Sequence, residues 1–169
     1  IPNSLSNIAS KVFQGLVTGS DAVFVLHRAP QKTLFSKATE DTVELEPDLL
    51  HPLCKGSVDL KRYFVTSLER MILFPYEVTE GHAKLIPPTY MRKYYPKTWQ
   101  YLLQNRSRLE ARERGKWKHD RWYAFGRSQA LSEMEQPKIL TPSIAAFASF
   151  SLDESDQYYF LGSGGGGGG

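Results

Sequence analysis

The chain has 169 residues, 41% of them hydrophobic and 23% charged, with a formal net charge of +3. That length and composition fit one globular domain and exclude a disordered chain, while the small positive charge is only a weak pointer to a polyanionic partner. Cys54 is the only cysteine, which excludes an internal disulfide or thiolate zinc site, and no apolar run nears the ~20 residues of a membrane span.

At the start, Ile1-Pro2-Asn3-Ser4 has no signal-peptide pattern, so a reducing cytoplasm with no membrane partner is expected. A missing initiator Met and an end inside a glycine run mark both termini as expected boundaries within a longer protein. Residues 12–17 and 22–26 are apolar or β-branched runs around Thr18-Gly19-Ser20-Asp21, predicting a β-hairpin. Residues 33–37 and 42–46 are two further short strand candidates. Pro47, with Leu49, Leu50 and Leu53 at helical spacing before Gly56, predicts a short helix. A buried strand is expected over 70–75, with residues 82–86 as its partner across the turn at Thr79-Glu80-Gly81.

The longest helix is predicted over 96–114. Trp99, Leu102, Leu103 and Leu109 form its apolar stripe, with Arg106, Arg108 and Arg112 largely off it and Gly115 as the stop. Residues 138–140 and 146–152 are expected as strands, followed by a hairpin turning over 153–156 into 158–161. Hairpins mixed with separate helices, in no βαβ series, predict an α+β domain with a mixed or antiparallel sheet.

Charge is segregated along the chain. Between Arg92 and Arg127 eleven basic residues face three acidic ones, whereas residues 40–48 are acidic. A basic tract of this kind suits a phosphate backbone, whose counterions are released as each charge is neutralised; a solvated helix face is the plainer alternative. Within it, Trp117, Trp122, Tyr123 and Phe125 alternate with Lys118, Arg121 and Arg127, ahead of Gln129. Arg can fork onto guanine, Gln can pair with adenine, and aromatics can stack on bases or pin the loop to the core.

Catalytic patterns are missing. Gly162-Ser163-Gly164 does not fit a nucleophile elbow, Cys54 is expected in the core, and His27, His51, His82 and His119 show no metal-ligand spacing, His51 being expected on the outside of the short helix. Glu77, Glu80 and Lys84 form the basis of a rival reading as a small Mg²⁺-dependent nuclease, and a protein-interaction domain is a third. No metal is assigned.

Several segments, in order, resemble one family: residues 13–21 (Phe-Gln-Gly-Leu-Val-Thr-Gly-Ser-Asp) with Val23-Phe24-Val25; Pro52-Leu53-Cys54-Lys55-Gly56; Phe74-Pro75-Tyr76; residues 95–102 (Tyr-Pro-Lys-Thr-Trp-Gln-Tyr-Leu); residues 122–129 (Trp-Tyr-Ala-Phe-Gly-Arg-Ser-Gln); Pro137-Lys138-Ile139-Leu140-Thr141-Pro142; and Tyr158-Tyr159-Phe160-Leu161-Gly162. The set is similar to the specificity domains of TaqI-like and Eco57I-like adenine-N6 DNA methyltransferases, including fused type IIG restriction enzymes. The resemblance implies a target recognition domain over residues 1–161, lacking its final portion, and a glycine-rich loop or linker over 162–169. It implies double-stranded DNA and a catalytic methyltransferase domain of the same parent chain as partners, in a prokaryotic cytoplasm. S-adenosylmethionine, with Mg²⁺ for any fused nuclease, would belong to the parent. Pro87-Pro88-Thr89-Tyr90 is not the catalytic Asn-Pro-Pro-Tyr motif, so no chemistry and no cofactor is expected of this chain. DNA contacts are expected from Thr18, Ser20, Arg106, Arg108, Arg112, Lys116, Lys118, Arg121, Trp122, Tyr123, Arg127 and Gln129.

Overall fold

The computed structural model describes residues 9–66, 69–154 and 158–162. After one helical turn, α1 (Asp21–Phe24), the chain lays down β1 (Val25–Arg28), β2 (Leu34–Ser36), β3 (Asp41–Val43) and β4 (Leu50–Lys55). A turn, α2 (Gly56–Asp59), leads to the ribbon of β5 (Leu60–Lys61) and β6 (Phe64–Val65), then β7 (Arg70–Leu73) and a second ribbon, β8 (Tyr76–Thr79) and β9 (His82–Leu85). Four helical pieces follow: α3 (Pro88–Tyr94), α4 (Pro96–Gln104), α5 (Arg106–Glu110) and the distorted turn α6 (Arg112–Gly115). The ribbon of β10 (Lys138–Leu140) and β11 (Ser151–Asp153) precedes β12 (Tyr159–Leu161).

Six strands form one mixed sheet in the order β12-β4-β7-β1-β2-β3, parallel only between β12 and β4. This is the α+β architecture expected, in a single domain. Tyr101 locks α4 onto the sheet: its hydroxyl is 2.7 Å from both the Val23 carbonyl, to which it donates, and Ser36 Oγ. At the N-terminus of α4, Glu46 accepts from the amides of Lys97 and Thr98 and from the Thr98 hydroxyl, satisfying donors that a helix start leaves open.

Several sequence expectations are corrected here. Residues 12–26 form no hairpin, because the Ser20 carbonyl takes the amides of Val23 and Phe24 and winds α1. Leu16 instead runs parallel to β12, giving its amide to the Phe160 carbonyl at 2.8 Å and accepting from Gly162 at 2.9 Å. A side chain on Gly15 would lie 2.5 Å from the Phe160 oxygen, so glycine permits that approach.

The helix expected after Pro47 is one 3₁₀ turn that gives way to β4. Pro52 is tolerated there, at the point where the ladder to β7 stops and the ladder to β12 begins at Leu53. His51 therefore lies in a central strand, stacked 4.1 Å from Tyr159, rather than on a helix surface. Strand β7 forms as expected, but β9 pairs with β8, not β7. Glu80 and Gly81 both take positive φ (51° and 75°), fitting a two-residue hairpin turn that only the nearer strand can use.

The long helix starts at Pro96 as expected but is interrupted at two places. Tyr95 precedes a proline, which disfavours helical backbone. Asn105 turns its side-chain amide back onto the Tyr101 carbonyl at 2.9 Å, and Glu113 and Arg114 adopt left-handed backbone. Of the strand expected over 146–152 only its end is extended, and β12 pairs with β4 rather than forming a hairpin with β11. The expected turn at 153–156 and the glycine run after Gly162 lie outside the described residues, wholly or in part.

Candidate nucleic-acid interface

A buried polar cluster centres on Arg112, only 9% exposed. Its Nε donates to the Leu109 carbonyl (2.8 Å), Nη1 to the Thr18 and Ala124 carbonyls (3.0 and 2.9 Å) and Nη2 to the Trp122 carbonyl (2.6 Å). The guanidinium also lies 4.1 Å from the Trp117 ring centre. Burial lowers its pKa to about 10, still well above neutrality, so carbonyl dipoles and an indole face solvate a permanent cation.

One side chain thus ties the Thr18 turn to the loop over 122–127. The backbones meet directly as well, with Gly126 donating to the Thr18 carbonyl (2.9 Å) and Arg127 to the Val17 carbonyl (3.2 Å). Gly19 has φ +73°, and a side chain on Gly126 would lie 3.1 Å from Gly19 Cα. The left-handed backbone favours glycine at Gly19, and a side chain at Gly126 would crowd the facing turn. Outside the contact, Arg127, Ser128 and Gln129 are exposed and Ser20 is half-buried; Gln129 Nε2 sits 3.4 Å from Gln14 Oε1.

No protein family and no curated protein matches the chain.

Apart from the half-buried Ser20, the expected site residues divide into two groups. Arg106, Arg108, Lys116, Lys118, Arg121, Arg127 and Gln129 are exposed. Thr18, Arg112, Trp122 and Tyr123 are buried, so these four are corrected from surface contacts to supports. Thr18 Oγ1 accepts from the Ser20 amide and donates to Asp21, fixing the turn. Trp122 and Tyr123 pack against Trp99, and Tyr123 donates to the Ile86 carbonyl at 2.6 Å. Phe125 packs on Phe24, Phe74 and Tyr76, and its amide donates to Tyr76 Oη at 2.6 Å. The pinning alternative therefore describes these aromatics, since an irregular loop can bury neighbouring rings that no regular period would. Burial pushes the Tyr76 and Tyr123 hydroxyls up to about 12, so neither ionises near neutrality.

Among the described residues, Arg108, Arg114, Lys116, Lys118, Arg121 and Arg127 are exposed and make no ion pair, while Arg106 Nε contacts Glu110 at 2.7 Å. The expected contact residues left out Arg92, although the basic tract begins with it; it lies with Arg106 and Lys118 along one groove. Glu77 stands opposite Lys84 in the β8–β9 ladder, with Glu80 in the turn. No three His, Cys, Asp or Glu among the described residues could hold a metal ion together. Cys54 is buried as expected, and burial first, then Asp59, raises its thiol to about 12. No described helix is long and apolar enough to cross a membrane.

Proposed function

We propose that this chain is the DNA target-recognition module of an adenine-N6 methyltransferase of the restriction-modification type. The observation that carries the proposal is the Arg112 clamp, which fixes the Thr18–Ser20 turn against the 124–127 loop. A rigid edge of Ser20, Arg127, Ser128 and Gln129 results, on the same loop as the exposed cations Lys118 and Arg121. With their backbones held in register, forked and carboxamide side chains can read base edges, and exposed cations alongside can grip phosphates without regard to sequence. On this reading the partners are double-stranded DNA and a catalytic domain of the same protein, in a prokaryotic cytoplasm. S-adenosylmethionine is then that domain's cofactor, and this chain performs no chemistry.

The test is binding by the full-length protein to cognate and scrambled duplexes at several salt concentrations. Arg127→Ala and Gln129→Ala should each cost about 1–3 kcal/mol on the cognate site and little on scrambled DNA. Equal losses on both duplexes would remove their reading role.

A second reading, as a protein-interaction domain, draws on another face. Tyr63, Phe64, Ile144 and Phe147 are largely exposed around β5 and β6, with the Arg62 guanidinium 5.5 Å over the Phe147 ring. Exposed apolar patches of this kind mark protein contacts. Salt-insensitive binding to a protein, with none to DNA, would favour it.

A further inference from the structure

We infer that the groove bounded by α3, α4, α5 and residues 118–122 binds a phosphoryl group through Arg92, Arg106 and Lys118. The groove encloses about 480 Å³ and is floored by Trp99 and Trp122, both buried and 5.7 Å apart between ring centres. The Arg92 guanidinium lies 5.5 Å over Trp99, and that of Arg106 lies 5.2 Å over Trp122. Stacking on indole restricts a guanidinium while leaving its N–H edge free, so less ordering entropy is lost when an oxyanion arrives.

Arg106 is held further by Glu110, which takes only its Nε and leaves both terminal nitrogens available. Lys118 is exposed and adds a third cation from the loop side. Of the two carboxylates along the groove, Glu110 is thus paired, and the Asp120 side chain is 93% exposed to solvent. Because guanidinium groups already cover the indoles, the groove suits the oxygens of a phosphate better than the face of a base. The same chemistry serves a nucleic-acid backbone or a free phosphate. Assigning it to DNA rests on the function proposed above; the anion site itself does not.

Arg92→Ala tests this, since Arg92 is exposed and its loss should leave the core intact. Two probes are titrated into wild type and variant: inorganic pyrophosphate, followed by tryptophan emission, and a duplex of arbitrary sequence at several salt concentrations. Wild type should show a saturable emission change with pyrophosphate that Arg92→Ala loses. On the duplex, the variant should bind about five- to tenfold more weakly near 0.1 M salt, with a salt slope lower by roughly one unit. Loss of the pyrophosphate response with no effect on DNA would assign the site to free phosphate and sink the DNA assignment alone. A weaker, flatter duplex response without any pyrophosphate signal would assign it to the backbone. Unchanged behaviour with both probes would overturn the site.

Discussion

Arg112 carries more of the molecule than any other polar side chain described. Its guanidinium is the common partner of four carbonyls from three stretches of chain, and hydrogen bonds to a charged group contribute more than neutral ones. Replacing it by methionine keeps the stem but leaves buried carbonyls without donors. Arg112→Met should therefore lower stability by about 3 kcal/mol or more, read as a shift in urea midpoint at unchanged slope. A loss under about 0.5 kcal/mol, the range of ordinary surface changes, would show that the clamp is dispensable. Helical spacing predicts Arg112 off the apolar stripe, on the same footing as Arg106 and Arg108. Those two do face solvent. Arg112 does not, because the backbone leaves the helix beside it at Glu113 and Arg114, and no periodicity signals left-handed backbone at two charged residues.

At the scale of elements, α4 starts on a carboxylate that lies 51 and 52 residues upstream of the amides it accepts from. Burial raises the Glu46 pKa, but hydrogen bonds from Thr98 and Lys97 outweigh it and hold the carboxyl below its ordinary 4.5. A depressed folded value means the contribution is complete above pH 4.5 and fades as pH falls through the lower folded pKa. Glu46→Gln should cost about 0.5–2 kcal/mol at neutral pH, as loss of a helix cap does, and the gap from wild type should close below the ordinary carboxylate range. Denaturation of both proteins across that range checks it; a gap that persists in acid would assign Glu46 a role other than capping. Locally encoded elements were legible in the sequence: β2 and β3 about their turn, β7 before its proline, and the Glu80-Gly81 turn. What stayed hidden depends on distant partners. Leu50 and Leu53 sit at helical spacing yet form a strand because β7 and β12 supply ladders on either side. The parallel pairing of β12 with β4 joins segments about 100 residues apart and leaves no local signature.

Across the whole molecule, the basic tract reaches the surface almost intact, short only of Arg112, while the acidic stretch spends Glu44 on Lys97 and Glu46 on α4. Exposed cations run through the region from Arg106 to Arg127, and the exposed aromatic cluster of Tyr63, Phe64 and Phe147 gathers around β5 and β6. The candidate surface was half legible. Residue types gave Arg127, Gln129 and the lysines, but whether Trp122 and Tyr123 faced a ligand or the core depended on Trp99 and Ile86, which no spacing within the loop could reveal.

The central claim is that a duplex lies across the Ser20 turn, the 126–129 loop and the adjoining cations. Amide chemical-shift mapping of the chain, titrated with duplex DNA at low salt, tests it most directly. Binding should be weak, about 10⁻⁴ to 10⁻⁶ M for nonspecific contacts near physiological salt, and should loosen steeply as salt is added. Shifts should gather at Ser20, Arg106, Arg108, Lys118, Arg121 and residues 127–129, leaving Tyr63, Phe64 and Phe147 unmoved. No shifts at low salt, or shifts confined to the aromatic cluster around β5 and β6, would contradict the account.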